Sequence, residues 1–77
     1  FNRLLQESMA KHPPPTHSGK QLKIYYGSQV STDPPTFLSH VNNPDLVHFS
    51  YQRFLENQIR EEYGFIGTPI RLSFRGR

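Results

Sequence analysis

The sequence predicts a small α+β domain, a two-layer sandwich in which two helices cover one face of a three-stranded sheet. Apolar residues recur at helical spacing at the start and in the middle of the chain, they alternate with polar residues in two further stretches, and a third stretch is rich in residues that favour strands. The predicted order of elements is therefore α-β-β-α-β. The 77 residues leave room for one domain, spanning 1–77, and the absence of cysteine means that its core depends on apolar packing alone.

The first predicted helix runs from the start of the chain to about residue 11. Its apolar side consists of Phe1, Leu4, Leu5 and Met9. The run Pro13-Pro-Pro15 ends it, since proline has no amide donor for the helical ladder and pushes His12 out of the helical conformation. The same run also fits a polyproline ligand, although a helix stop accounts for it without any partner. Because the chain opens inside a helical pattern at Phe1 rather than Met, we expect it to come from a longer protein.

A β-hairpin is predicted next, from one strand over 20–30 and a second over 36–41. In the first strand the expected buried face is Leu22, Ile24 and Tyr26, and the opposite face is Lys23 and Tyr25. The connection Ser31-Thr-Asp-Pro-Pro35 is rich in residues that form turns. It is longer than a two-residue hairpin loop, so the register of the pairing stays open.

A second helix is predicted to begin at Asn42-Asn-Pro-Asp45, with Asn43 as its N-cap and Pro44 as its first residue. Its packed side consists of Val47, Tyr51, Phe54, Leu55 and Ile59. Gly64 is placed to end the helix in the left-handed conformation, with Phe65 or Ile66 giving the apolar contact typical of such an end. The aromatic residues expected in the core are Tyr51, Phe54, Tyr63, Phe65 and Phe74.

The third predicted strand follows Pro69 and alternates strictly. Ile70, Leu72 and Phe74 are expected to face the helices, and Arg71, Ser73 and Arg75 to face away.

The charged residues are distributed unevenly between the predicted helices and strands. The chain has 9 Lys and Arg against 6 Asp and Glu, a net charge of +3, and the acids of the predicted helices are Glu7, Asp45, Glu56, Glu61 and Glu62.

The basic residues of the strands and the C-terminus form the candidate site. They are Lys20, Lys23, Arg71, Arg75 and Arg77, with Tyr25 available to stack on a base. Since no acid lies among them, we expect a positive sheet side that contacts an anionic partner. Two other interpretations remain open: a solvated sheet face on which Lys and Arg discourage edge pairing, and a surface that meets acidic residues of a neighbouring protein domain.

Several other classes of function find no support in the sequence. No Gly-x-x-x-x-Gly-Lys-Ser/Thr loop is present to hold nucleotide phosphates, and no glycine-flanked serine forms a nucleophile elbow. The histidines are scattered, at His12, His17, His40 and His48. We therefore predict no catalytic residues, no cofactor and no metal site. No apolar run is long enough to span a bilayer, so we expect no contact with a membrane. We also expect the protein to be cytoplasmic and monomeric.

Six segments, taken in order, are similar to a known family. They are Asn2-Arg-Leu-Leu, His12-Pro-Pro-Pro, Lys23-Ile-Tyr-Tyr, Pro34-Pro-Thr-Phe37, Val41-Asn and the long stretch from His48 to Arg77. Together they resemble the C-terminal KH-like domain of the ribosome-biogenesis GTPase family called Der or EngA. The resemblance covers essentially the whole chain.

The resemblance implies a bacterial protein with two GTPase domains followed by this module as its C-terminal part. The implied partners are the GTPase domains of the same chain and the large ribosomal subunit with its rRNA. GTP and Mg²⁺ are expected only in the GTPase domains. The module itself would be non-catalytic and would couple their nucleotide state to ribosome binding. The alternative is an interaction domain that regulates the GTPase domains without touching RNA.

The segment Gly64-Phe-Ile-Gly67 matches the Gly-x-x-Gly string with which KH domains clamp an RNA backbone. A KH loop joins two helices and carries basic residues, whereas Phe65 and Ile66 are apolar and a predicted strand follows at once. We therefore interpret this segment as a helix C-cap and a turn. Any contact with RNA is expected to depend on charge and shape rather than on base reading.

Overall fold

A computed structural model of the chain describes residues 1–65 and 67–76, with His17 described by its backbone alone. The two remaining residues each carry an expectation from the sequence: Ile66 in the helix-end contact and Arg77 in the basic site. Both lie outside the described residues.

Two α-helices and five strands form the fold of the described residues. In chain order they are α1 (Asn2–Lys11), β1 (Thr16–His17), β2 (Lys20–Gln21), β3 (Ile24–Thr32), β4 (Pro35–Val41), α2 (Phe49–Tyr63) and β5 (Arg71–Gly76). A short 3₁₀ helix, Pro44–Leu46, precedes α2. The predicted α+β class and its three-stranded sheet are confirmed. The structure adds the hairpin of β1 and β2, which separates the start of the predicted first strand from the main sheet.

The main sheet has the strand order β3-β4-β5. β3 and β4 are antiparallel, and β4 and β5 are parallel because α2 carries the chain back across the sheet between them. The sequence left the strand order open, and the structure places β4 between β3, which Lys23 directly precedes, and β5, which carries Arg71.

The core lies between the helices and one face of the sheet. Its buried apolar side chains are Leu5, Leu22, Ile24, Phe37, Val41, Leu46, Tyr51, Leu55, Ile59 and Ile70. Burial of each large side chain stabilises the fold by about 1.5–3 kcal/mol, and the conformational entropy lost on folding opposes this gain. Tyr63 was expected among these residues, but it is 43% exposed and contacts the core from its edge, with its ring centroid 6.2 Å from that of Phe37 and 5.9 Å from that of Phe65.

The start of β3 departs from strict alternation. Ile24 lies opposite Val41 and Tyr26 lies opposite His40, so β3 has one residue more than β4 between these two pairs. As a result Tyr26 is 53% exposed, and its expected place on the buried face is wrong. Gly27 faces the core in its stead.

Gly27 is where α1 meets the sheet. A Cβ atom at this position would lie 2.6 Å from a ring carbon of Phe1 and 2.8 Å from the backbone oxygen of Leu38. The Gly27 amide donates a hydrogen bond of 2.7 Å to Oδ1 of Asn2. The close approach of α1 to β3 therefore requires glycine here.

The predicted C-terminal end of α2 is confirmed, whereas its predicted start is not. Asn43 does act as a cap, accepting a hydrogen bond from the Asp45 amide at 3.0 Å, but it caps the 3₁₀ helix. The chain then runs extended through Val47 and His48, and α2 begins at Phe49. Gly64 ends α2 in the left-handed conformation (φ 71°, ψ 26°), as predicted.

The prolines after α1 end the helix as expected, with His12 extended (φ −144°, ψ 88°). The carbonyl oxygen of His12 accepts a hydrogen bond of 3.0 Å from the Tyr51 hydroxyl. Pro14 is buried, and its carbonyl accepts a bond of 2.8 Å from the Gln21 side chain. The segment after α1 is thus fixed to both α2 and β2.

Candidate functional site

The candidate site is the face of the main sheet that points away from the helices. Directly opposite residues of a ladder project on the same face, so the observed register assigns its members. They form three rows across the sheet: Tyr26, His40 and Arg75; Ser28, Leu38 and Ser73; Ser31, Thr36 and Arg71. We call these nine residues the outer sheet face.

The charge on the outer sheet face has one sign. Arg71 and Arg75 are exposed and lie four residues apart on β5, which places them about 13 Å apart along the strand. None of the nine residues is Asp or Glu. The predicted alternation of β5 is confirmed, because Ile70 is buried and Leu72 and Phe74 are partly buried on the core side.

An aromatic pair lies in the same row as Arg75. The rings of Tyr26 and His40 stack with their centroids 4.4 Å apart and their planes 23° apart. His40 is half-buried on the central strand, whereas Tyr26 is exposed on β3. The row therefore runs from a guanidinium on β5, across an imidazole, to an exposed phenol.

Lys23 and Tyr25 lie at the end of the sheet where Arg75 lies. Lys23 directly precedes β3, and Tyr25 occupies the register shift, 42% exposed. The side chain of Asn42 fixes this corner. Its Oδ1 accepts a hydrogen bond of 2.9 Å from the Lys23 amide, and its Nδ2 donates one of 3.0 Å to the Gln21 carbonyl.

The structure thus brings together only some of the predicted site residues. Arg71 and Arg75 share the outer sheet face, and Lys23 and Tyr25 lie at the Arg75 end of the sheet. Lys20 is exposed on β2 of the separate hairpin, outside the main sheet. Arg77 lies outside the described residues, so its place in the row remains a prediction.

Sequence reasoning missed Tyr26 and His40 as members of this face. Tyr26 continues the apolar alternation of Leu22 and Ile24, and His40 was grouped with scattered histidines. Gly27 carried the information that could have corrected this, since a glycine inside a strand indicates a bulge or a close backbone approach.

The other polar groups that sequence analysis considered lie apart. His12 packs against the Tyr51 and Phe54 rings, and His48 is the N-cap of α2. Among the side chains that the structure describes, no three from His, Asp or Glu come close enough to hold a metal ion. Burial raises the pKa of Tyr51 to about 12, which keeps its hydroxyl protonated and able to donate to His12.

Comparison with known proteins identifies the family. A family model described as the KH-domain-like region of EngA bacterial GTPase enzymes, C-terminal, matches residues 1–75. The chain belongs to this family. It is 60% identical over 77 residues to a protein named GTPase Der from Thermomicrobium roseum, covering 100% of the chain and 17% of that protein.

Two other relatives give the same picture. GTPase Der of Halothermothrix orenii is 57% identical over 75 residues, covering 97% of the chain and 17% of that protein. GTPase Der of Bacillus cytotoxicus is 53% identical over 77 residues, covering 100% of the chain and 18% of that protein. The KH-like chain therefore spans less than a fifth of the length of these relatives.

The Gly-x-x-Gly string of this KH-like chain has the geometry of a helix end. Gly64 donates its amide to the Arg60 carbonyl at 2.8 Å, and Gly67 has a positive φ of 75°. Thr68 donates to the Phe65 carbonyl at 3.2 Å in the turn that leads to β5. The segment follows α2 and precedes a strand, so the interpretation as a C-cap and turn is confirmed. Across the described ranges, neither helix is long and apolar enough to cross a membrane.

Proposed function

We propose that this KH-like domain is a non-catalytic module of a longer, cytoplasmic Der-type GTPase that takes part in assembly of the large ribosomal subunit. Its role is to couple the nucleotide state of the GTPase domains to contact with ribosomal RNA through the outer sheet face. Membership of the family and the small share of each relative that the chain covers support this proposal. GTP and Mg²⁺ belong to the GTPase domains of the longer protein.

The observation that carries the RNA contact is the charge of the outer sheet face. Arg71 and Arg75 project from β5 with no carboxylate among the nine residues of that face. A guanidinium presents a planar fork of donors that matches phosphate oxygens. Contacts of this kind position a nucleic acid without reading its sequence, and they weaken as salt rises.

The experiment compares two double variants of the chain that lose the same charge. Arg71→Gln/Arg75→Gln changes the outer sheet face, and Arg3→Gln/Arg53→Gln changes exposed arginines on the two helices. Binding to ribosomal RNA is titrated at several salt concentrations. If both sheet arginines contact single-stranded phosphates, their loss makes the negative slope of log affinity against log salt shallower by about 1.4, or about 0.7 for each contact.

The matched variant separates a defined surface from a general effect of charge. We expect the helix variant to keep the wild-type slope and both variants to keep the wild-type unfolding midpoint in urea. Equal losses in the two variants would contradict a site on the outer sheet face. If the wild-type chain binds no RNA at any salt concentration, the proposed RNA contact is contradicted altogether.

The second candidate function is docking within the longer protein without RNA. The same acid-free face supports it, because arginines of a protein surface also pair with carboxylates of a neighbouring domain. This function predicts that Arg71→Gln/Arg75→Gln in the full-length protein changes the GTPase turnover rate, while the isolated chain shows no RNA affinity. The charge-matched helix variant serves as its control.

A further inference from the structure

The exposed ring of Tyr26 lies at an open edge of the main sheet. His40 covers one side of it, with the ring centroids 4.4 Å apart. β3 pairs with β4 alone among the described strands, so no strand lies beyond Tyr26 in this row. More than half of the residue, 53%, remains exposed to solvent. A flat molecule can therefore extend the stack that His40 and Tyr26 have begun.

The surroundings of the ring favour an anionic aromatic ligand. Arg75 lies in the same row, two strand spacings or about 10 Å from Tyr26, and Arg71 lies further along β5. An unpaired nucleotide joins a flat base to a charged phosphate at short range. Its base gains from stacking on an aromatic side chain, while its phosphates gain from nearby arginines.

We propose that the Tyr26–His40 pair stacks an unpaired base of an RNA segment whose phosphates lie along Arg75 and Arg71. This inference rests on the proposed function, to which it adds the kind of RNA and the residue that holds it. Base-paired RNA hides the faces of its bases inside the helix, so a stacking site selects single strands, loops or bulges. The contact requires no reading of base edges.

The register shift in β3 is what makes this site. Without the register shift, strict alternation would put Tyr26, two residues after Ile24, on the core side with Ile24. With the shift, Tyr26 joins the row of His40 and Arg75 instead. Directly after Tyr26, the Gly27 amide donates a hydrogen bond to Oδ1 of Asn2, which ties β3 to α1 at this point.

The chain offers a matched control for Tyr26. Phe49 is 76% exposed and has the Arg53 guanidinium 6.0 Å from its ring centroid, so it too combines an aromatic ring with a cation. It lies on α2, however, and α2 packs on the opposite face of the sheet. Any general affinity of RNA for exposed rings beside arginines should be lost equally from both positions.

The experiment measures binding of a fluorescein-labelled 12-nucleotide single-stranded RNA and of a duplex of the same length, at several salt concentrations. The proteins compared are the wild-type chain, Tyr26→Ala, Tyr26→Leu and Phe49→Ala. We expect wild type to prefer the single strand. Both Tyr26 variants should bind the single strand about 5- to 150-fold more weakly, which corresponds to the loss of one stacked base.

Two controls test whether the loss of affinity is specific to Tyr26 and to single-stranded RNA. Phe49→Ala keeps the wild-type affinity, and the Tyr26 variants leave the weaker duplex binding unchanged. Their slope of log affinity against log salt also stays at the wild-type value, since a stacked base releases no counterions. Tyr26→Leu keeps an apolar side chain of strand-compatible size, and a urea titration verifies that each variant folds.

Three results would overturn the inference, and they differ in what they mean for the proposed function. If the Tyr26 variants bind like wild type while Arg71→Gln/Arg75→Gln binds more weakly, RNA contacts the face without stacking and the proposed function stands. If wild type binds duplex and single strand with equal affinity and the Tyr26 variants do not change this, RNA again contacts the face without stacking and the proposed function stands. If wild type binds neither RNA, both the inference and the RNA contact fail.

Discussion

Replacing Gly27 with alanine tests the packing of α1 on the sheet. The added Cβ would meet a Phe1 ring carbon at 2.6 Å, the Leu38 carbonyl oxygen at 2.8 Å and the Ser39 Oγ at 3.0 Å. The Phe1 ring can move, but the Leu38 oxygen belongs to the backbone of the central strand. Either α1 moves away from β3, or the pairing of β3 with β4 is distorted.

The expected loss of stability follows from three contributions. Overpacking costs about 1–3 kcal/mol. Displacing α1 also removes the bond from the Gly27 amide to Asn2, worth about 1 kcal/mol. The lower entropy of the unfolded alanine chain offsets about 0.4–1 kcal/mol of this. We expect Gly27→Ala to lower the free energy of unfolding by about 1–3.5 kcal/mol, and Tm by about 4–28 °C.

The assay is urea unfolding followed by far-ultraviolet circular dichroism, with Gly76→Ala as the matched control. Gly76 also lies in a strand, and a Cβ there would come no closer than 3.2 Å, to Cδ of the Pro44 ring. That ring can move by the small distance required, so Gly76→Ala should stay within about 1 kcal/mol of wild type. A Gly27→Ala chain as stable as Gly76→Ala would refute the reasoning.

Two further predictions concern polar groups between the helices and the core. Tyr51→Phe removes the bond to the His12 carbonyl and should cost about 1 kcal/mol at neutral pH. Burial raises the pKa of Tyr51 to about 12 from 10.0, so the unfolded chain releases its proton first, and wild type should lose stability between these pH values. Urea titrations across that range should show the gap to Tyr51→Phe shrinking; a constant gap would contradict the pKa. Within the described chain, the buried Ser8 Oγ has no hydrogen-bond partner, so Ser8→Ala should be more stable by about 1 kcal/mol. Gln6→Ala, on the exposed side of α1, controls for helix propensity, and an equal gain there would contradict the role of burial.

Much of the fold follows from local patterns. The arc of Tyr51, Leu55 and Ile59 is buried because residues three to four apart share one side of a helix, and this spacing is visible in the sequence. Gly64 ends α2 because only a residue tolerant of positive φ fits that position. Both features depend on neighbours in the chain, and sequence reasoning identifies such features well.

The outer sheet face could be predicted only in part, because its composition depends on contacts between distant segments. Arg71 and Arg75 were assigned from the alternation of their own strand. Tyr26 joined them only through the register shift, which in turn accommodates α1 at Gly27, 25 residues from its partner Asn2. The start of α2 could not be predicted for the same reason. Asn43 caps the short 3₁₀ helix, whose last residue Leu46 is buried in the core, and α2 begins only at Phe49.

The register shifts of β3 also affect what its unpaired side can do. A long straight edge strand is a template on which a second chain can add itself, and such growth leads to aggregates. β3 has nine residues, yet its ladder is interrupted between Ile24 and Tyr26 and again between Gln29 and Ser31. Another strand approaching from solvent would find only short runs of regularly spaced donors and acceptors. The residue inserted before Tyr26 therefore makes this edge of β3 a poorer template for a second strand at the same place where it presents an aromatic ring.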